Sequence, residues 1–402
     1  MRSLARVAAA PLWIAQLMTG AKSFVDNPIL GSERLNRAGL HTLRVRLAHA
    51  MAGFRRRQLA HLVSAQDRAD FARDGFIRRA DFMPADLHRA VYAEVTSVAA
   101  EGREQVQGDT VTRRIPLDPE TLKRMPAMRQ LLALPEWNNL LRYVASFNCE
   151  PILTVQTILS HVTDAPPDPQ TNFHIDTFHP TMKAWLFLTD VAADEGPFTY
   201  VPGSHRLTKR RLAWERRTAI NAASGLDRLS GRGSFRASPA ELKRMGYADP
   251  VAFAVPGNTL VVGDTVGFHA RGPSLRPAVR IEVWAYDRHN PFLPLAGFDV
   301  WSLTGLARWR TRIGWWLLDR LEQLGLRKNV WRPVGPSPPM RRPGSSEARE
   351  GAPSPTWHPA RSAADRPGRT RRARAAGASR GCAGGACAAR SGPRAACPGA
   401  SG

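Results

Sequence analysis

The 402-residue sequence is poor in cysteine: there are four, and three lie beyond residue 380. Cys149 stands alone in the remainder, which excludes a disulfide framework and fits a reducing compartment. No run of about eighteen uninterrupted apolar residues occurs, so no membrane span is expected. Acidic residues are also scarce, with 34 Asp and Glu against 57 Lys and Arg, a formal charge of +23. The excess is uneven. Residues 335–402 contain no Leu, Ile, Val, Phe or Tyr, but hold twelve arginines and three acids. Such a segment cannot bury enough apolar surface to offset its chain entropy, so it is expected to be disordered. Its Arg, Ala, Gly, Pro, Ser and Cys are all available to GC-rich codons, and we read it as translation past a frameshift. A nucleic-acid-binding tail would interleave aromatic side chains with its arginines. A zinc site would space its cysteines differently from Cys382, Cys387 and Cys397. No nucleic-acid partner is expected.

What is present falls into three textures. Residues 1–63 form a basic helical extension, with Leu40, Leu43, Leu47 and Met51 at helical spacing. Its start, "MRSLARVAAAPLWIAQLMTGAKSF", imitates a leader peptide, but Pro11 and Gln16 interrupt the apolar run. It reads as an amphipathic helix. A helix, a short strand near Gly75–Arg78 and a second helix opened by Pro84 follow. Residues 118–143 are helical with a break near Pro135. From about 150 to 290, short β-branched and aromatic runs separated by Gly and Pro predict an all-β sandwich or barrel. An arginine-rich helical insertion at 206–250 interrupts it. Residues 301–334 return to helical spacing, with five of the chain's eleven tryptophans at 301–332. The expected domains are therefore 1–63, 64–300, 301–334 and 335–402.

The chemistry concentrates in "TNFHIDTFHPTMKAW", residues 171–185. In a strand, positions i and i+2 share a face, so His174 and Asp176 converge on one point. That pair suits divalent iron if a third ligand arrives from elsewhere. The plain alternative is a histidine hydrogen-bonded to an aspartate at a strand end. A third ligand is available in His269, at the end of an apolar strand, with Arg280 eleven residues on. His179 and His205 are further candidates, but neither has an arginine at that offset. His205, in "PGSH", also reads as a structural turn residue.

At this point the sequence resembles the phytanoyl-CoA dioxygenase family of iron(II)/2-oxoglutarate oxygenases. The resemblance runs from about Phe71 to Phe292. It rests on "HID" at 174–176, "WLFLTDVAADEGPFTYVPGSH" at 185–205, and "FHARGP" followed by Arg280. It implies an α+β chain with a double-stranded β-helix core, the cupin-like jelly roll. It implies Fe(II) held by His174, Asp176 and His269, with 2-oxoglutarate as cosubstrate and dioxygen as oxidant. Arg280 would hold the far carboxylate of 2-oxoglutarate, Trp185 would stand beside it, and Gln156 and either Arg113 or Arg114 would line its site. The family often has serine two residues after the distal histidine. Here that position is Arg271, so either the carboxylate meets two cations or Arg271 turns toward substrate. The retained Asp176 argues against a halogenase.

Three ligands on one face of an octahedral iron leave room for a bidentate 2-oxo acid and dioxygen. A guanidinium suits the far carboxylate as a two-pronged fork. The resemblance thus implies an oxidoreductase hydroxylating a C–H bond of a small or lipid-like substrate, with release of succinate and carbon dioxide. His179, Lys183, Arg216 and Arg217 are candidate substrate contacts near the expected mouth. The alternative is a membrane-surface binding protein on the same fold with a vestigial iron site. The Trp- and Arg-rich segment at 301–332 motivates it, since an amphipathic helix of that kind can lie on anionic lipid. The expected location is cytoplasmic, with weak peripheral contact at the inner face of the membrane.

Overall fold

The computed structural model describes residues 2–148, 150–297 and 300–337. Cys149 and residues 338–402, with the tail's three cysteines, lie outside them, as do the disorder and frameshift readings for that stretch. Eleven strands are described: β1 (Phe76–Arg79), β2 (Ala100–Gln107), β3 (Thr110–Pro116), β4 (Ile152–Ser160), β5 (Met182–Phe187), β6 (Phe198–Tyr200), β7 (Val251–Ala252), β8 (Thr259–Asp264), β9 (His269–Arg271), β10 (Ala278–Asp287) and β11 (Arg332–Ser337). Eight form one antiparallel sheet in the order β1-β8-β5-β10-β4-β3-β2-β11, and β7-β6-β9 form a second, smaller one. Helices plus this large antiparallel sheet make the expected jelly-roll core.

Strand alternation gives the large sheet two chemically different faces. On β10, Ile281, Val283 and Ala285 are fully buried in the principal apolar cluster, among helices at 85–97, 126–133 and 135–145. Removing one such side chain, as in Leu186→Ala on β5, costs about 2–5 kcal/mol through lost burial and a cavity. Arg280, Glu282 and Trp284 alternate with the apolar set and face the small sheet instead. Trp185, Phe187, Phe198, Tyr200, Phe253 and Trp284 form a separate aromatic cluster there. Helix ends are set locally. Ser64 and Asp67 form a reciprocal capping box, and Pro119, Pro126 and Pro135 each open a helix. Gly75 closes the first with φ +89°, where a side chain would also strike His205 and Tyr200.

Two expectations need correction. The β core is wider than 150–290, because β1, the β2–β3 hairpin and β11 extend the sheet on both sides of that interval. The hairpin escaped notice because "AEGREQVQ" has charged and polar residues on both faces. Val334 does not end the ordered chain either. Gly335, Pro336 and Ser337 pair with Gly102, Glu101 and Ala100 at the sheet edge.

Both extensions pack with an unexpected face inward. The helix Leu40–Gln58 buries His41, Arg44, Val45, Ala48, Ala52 and Arg55 and leaves Leu43, Leu47 and Phe54 exposed. Arg44 donates to the carbonyls of Leu17, Thr19 and Ala21 at 2.8–3.0 Å and lies over Phe178. Arg55 donates to the carbonyls of Ser146, Pro291 and Leu293. The helix Arg310–Gln323 buries no residue and docks through charge. Arg312 pairs with Asp118 and Asp319 with Arg103, and Arg308, in the turn just before the helix, pairs with Glu150. Trp316, Leu317 and Leu324 remain exposed. Among the described residues no helix is long and apolar enough to cross a membrane.

Candidate metal and cosubstrate site

His174, Asp176 and His269 come together at the end of the jelly roll, their ligand atoms within 4.8 Å of one another. The local backbone is a pair of bridges rather than the regular strand expected. His174 exchanges backbone hydrogen bonds with His269 at 3.0 Å in both directions. This cross-link brings the imidazoles together at a tilt of 51°, with ring centres 4.5 Å apart. Each Nδ1 is tied to a main-chain carbonyl, His174 to Asn172 at 2.8 Å and His269 to Gly267 at 2.9 Å. An Nδ1–H donated there leaves the Nε2 lone pair free to bind a metal.

Two polar atoms at the centre lack hydrogen bonds. His269 Nε2 is buried without a hydrogen bond, and so is Asp176 Oδ2. Asp176 Oδ2 does form an ion pair with Lys183 Nζ at 2.6 Å, outside hydrogen-bond geometry. Burial pulls His174 well below the usual histidine range, and the neighbouring His269 adds to this. Burial pushes the Asp176 carboxyl up, but Lys183, and then His269, outweigh it and hold the group well below the carboxylate range. A neutral imidazole beside an ionised carboxylate is the donor set a divalent metal needs. The residues present therefore fit an iron ion.

A cavity of about 130 Å³ opens from the two histidines between the sheets. Trp185 forms one wall, stacked on Phe198 with ring centres 3.9 Å apart. Gln156, Arg114, Arg271, Arg280 and Lys183 also line it. The Arg280 guanidinium donates from Nη1 to the Gly196 carbonyl at 2.6 Å, and its Nε lies 3.0 Å from Glu282 Oε2. Gln156 bridges Glu282 and Arg114, donating to the first at 2.5 Å and accepting from the second at 2.9 Å.

Alternation along β3 separates the two arginines that the sequence left open. Arg114 lines the cavity, whereas Arg113 pairs with Glu104 and does not. Arg271 does not turn away: it lines the cavity with Nη1 2.7 Å from the buried Asp168. Of the candidate substrate contacts, Lys183 alone lines the cavity. His179 is fully buried beneath Gly20, with Nδ1 against the Pro180 carbonyl. Arg216 and Arg217 are exposed on the helix Lys209–Asn221, and Arg216 donates to the Arg37 carbonyl. These three were expected at the mouth because charge clusters there in sequence, but the insertion helix carries the arginines elsewhere. His205 packs under Gly75 and against Phe71, as a turn residue would.

Several participants went unrecognised in the sequence. Glu282 and Trp284 follow Arg280 at i+2 and i+4, a signal that strand alternation carries. Lys22, from the N-terminal extension, donates to the Asp176 carbonyl, and Trp331, near the other end, lines the cavity. Neither has a local signature.

The family described as Phytanoyl-CoA dioxygenase (PhyH) matches residues 71–244, so the resemblance read from the sequence holds over that segment. His174, Asp176 and Trp185 lie inside it, while His269 and Arg280 lie beyond its end. The chain is similar to the solved epimerase SnoN in complex with Fe3+, alpha ketoglutarate and nogalamycin RO, at 19% identity and TM-score 0.37, over 56% of this chain and 83% of that one. It is also similar to EctD from S. alaskensis with 2-oxoglutarate and 5-hydroxyectoine, at 16% identity and TM-score 0.33, over 57% and 80%. A third similar structure is HygX from Streptomyces hygroscopicus with nickel, 2-oxoglutarate and hygromycin B, at 15% identity and TM-score 0.33, over 60% and 92%. No curated protein matches the chain.

Proposed function

We propose that this chain is an iron(II)/2-oxoglutarate-dependent oxygenase that hydroxylates a C–H bond of a small or lipid-like substrate. The observation that carries the reading is the triad itself, with two Nδ1 atoms pinned to carbonyls and the buried His269 Nε2 without a hydrogen bond, 3.7 Å from Asp176 Oδ1. His174, Asp176 and His269 would hold the iron, and Arg280, kept in place by Gly196 and Glu282, would receive the far carboxylate of 2-oxoglutarate. The bound iron supplies oxidative decarboxylation of the 2-oxo acid by dioxygen, coupled to substrate oxidation. The protein's part is to fix the ligands, neutralise the carboxylate and wall off water with Trp185 and Phe198. The rival reading, a binding protein with a vestigial iron site, has no support from a ligand set that is complete.

Two substitutions test this. His174→Ala or Asp176→Ala should abolish tight Fe(II) binding and turnover, because two remaining ligands do not define a site. Wild-type turnover in either would sink the assignment. Arg280→Leu should weaken 2-oxoglutarate binding by about 2–3 kcal/mol while iron binding survives. An unchanged titration would move the carboxylate to another cation of the cavity.

A finer reading of location rests on the exposed Trp316, Leu317, Leu324 and Leu326 beside a strongly basic chain. Tryptophan favours the headgroup level, and each basic residue near anionic lipid adds about 1 kcal/mol. Weak, salt-sensitive cosedimentation with anionic vesicles is expected. No pelleting at low salt would remove the membrane reading.

A further inference from the structure

Four cationic side chains line the cavity, and they are not equivalent. Arg280 has Glu282, Arg271 has Asp168 and Lys183 has Asp176, each within 3.0 Å. Among the described residues, Arg114 has no such carboxylate. Its Nε donates to Gln156, and its guanidinium lies between two indoles, 3.9 Å from the ring centre of Trp284 and 4.9 Å from that of Trp331. Burial lowers its pKa only to about 10, so it remains charged near neutral pH. The one cavity cation with no carboxylate in direct contact among the described residues is therefore a guanidinium set over two aromatic rings. Ring faces attract a cation without consuming its in-plane donors, which leaves them available to an anion.

One of the two indoles comes from far away. Trp284 belongs to β10. Trp331 precedes β11, which joins the sheet edge by pairing with β2. Its backbone N–H donates to Asn329 Oδ1, and Asn329 Nδ2 donates in turn to Asp319, the partner of Arg103. The C-terminal segment thus reaches the cavity at one side chain, held by a chain of polar contacts. That segment lies wholly outside the family-matched residues 71–244.

We propose that Trp331 is the positioning residue of Arg114, the basic residue that the resemblance sets beside the cosubstrate, so that the C-terminal segment holds an anion-binding group of the cavity in place. The anion is a carboxylate of the 2-oxo acid or an anionic group of the substrate. The proposal rests on the reading of the site as a metal and 2-oxoglutarate centre.

The test uses the full chain loaded with Mn(II) and titrated with 2-oxoglutarate by calorimetry. Inorganic phosphate is titrated separately at saturating 2-oxoglutarate. Trp331→Ala should weaken at least one of the two ligands by about fivefold, the loss of one partly buried cation–π contact. Trp331→Phe should restore most of that loss. In an Arg114→Ala background, Trp331→Ala should have no further effect, since its action runs through Arg114. Trp316→Ala, exposed on the same segment, should leave both titrations unchanged. Weakened 2-oxoglutarate binding places the cosubstrate carboxylate at Arg114, and weakening of phosphate alone places a substrate anion there. Both affinities within twofold of wild type in Trp331→Ala, or additive losses in the double variant, would overturn the proposal. If the wild-type protein binds no 2-oxoglutarate with metal present, the functional reading fails instead, and the two failures are distinct.

Discussion

The N-terminal and C-terminal extensions both reach the site, but they are attached by different physics. The N-terminal arm is held by buried cations with multiple acceptors. Arg55 is 1% exposed, and His41 meets Glu215 inside the insertion at 2.8 Å. The C-terminal segment is held by ion pairs whose own ends are part-exposed, such as Arg308 to Glu150 and Arg312 to the buried Asp118, with an edge strand and Trp331. A buried charge that loses its partners leaves the full desolvation cost behind, whereas a solvated pair returns its ions to water. The arm is therefore expected to be integral to the fold. The C-terminal segment is expected to affect binding more than stability.

The largest effect should come from the arm. Arg55→Ala strands the carbonyls of Ser146, Pro291 and Leu293 and should cost about 3 kcal/mol in a urea titration. A loss under about 1 kcal/mol would mean that water replaces the guanidinium, and the contrast would collapse.

Acid should sharpen the same difference. Burial raises the Glu215 carboxyl, but Arg211 and then His41 prevail and bring it to about 2, below its ordinary 4.5. A carboxyl depressed in the folded state contributes stability that is full above its unfolded pKa and fades as pH falls toward the folded one. Hydrogen exchange in 40–58 should accelerate between about pH 4.5 and 2, as that linkage weakens. Equal acid sensitivity in Glu215→Gln would assign the effect to another group.

Truncation tests the other end. Ending the chain after Val330 removes β11 and Trp331 and should lower the melting temperature by a few degrees at most, while weakening ligand binding as Trp331→Ala does. Ending it after Ser337 should change neither, given a composition that offers almost nothing to pack. The smallest effect belongs to Arg308→Ala, whose half-exposed pair with Glu150 should contribute less than about 1 kcal/mol. A larger loss there would show that the segment is docked as firmly as the arm.

The sequence was most legible where backbone period fixes geometry. Arg280, eleven after His269, sits on a strand whose facing follows from alternation, and His174 and Asp176 meet the same point although bridges replace the strand expected there. Alternation also put Arg114 and Arg113 on opposite faces. Which face was inner depended on the β2–β3 hairpin, and its polar pattern hid the strands. The substrate candidates fared worse, because Arg216 and Arg217 lie on an insertion helix whose direction no local signal sets.

The sequence alone determined the types of the candidate ligands and their spacing, because those are read along the chain itself. It also put helical spacing in 1–63 and an amphipathic helix in 301–334, the stretches in which the helices Leu40–Gln58 and Arg310–Gln323 lie. Only the tertiary structure decided which side of each helix turned inward. Arg44 and Arg55 of the first and Arg312 of the second faced the protein, while Leu43, Leu47 and Trp316 stayed outside. A helical period defines two faces but not their destination. A guanidinium carries five donors on a long apolar stem, so it can satisfy several distant carbonyls or a carboxylate at once, and that choice exists only once the acceptors are assembled. Lys22 and Trp331 reached the site in the same way, by a packing of chain ends that no local pattern encodes.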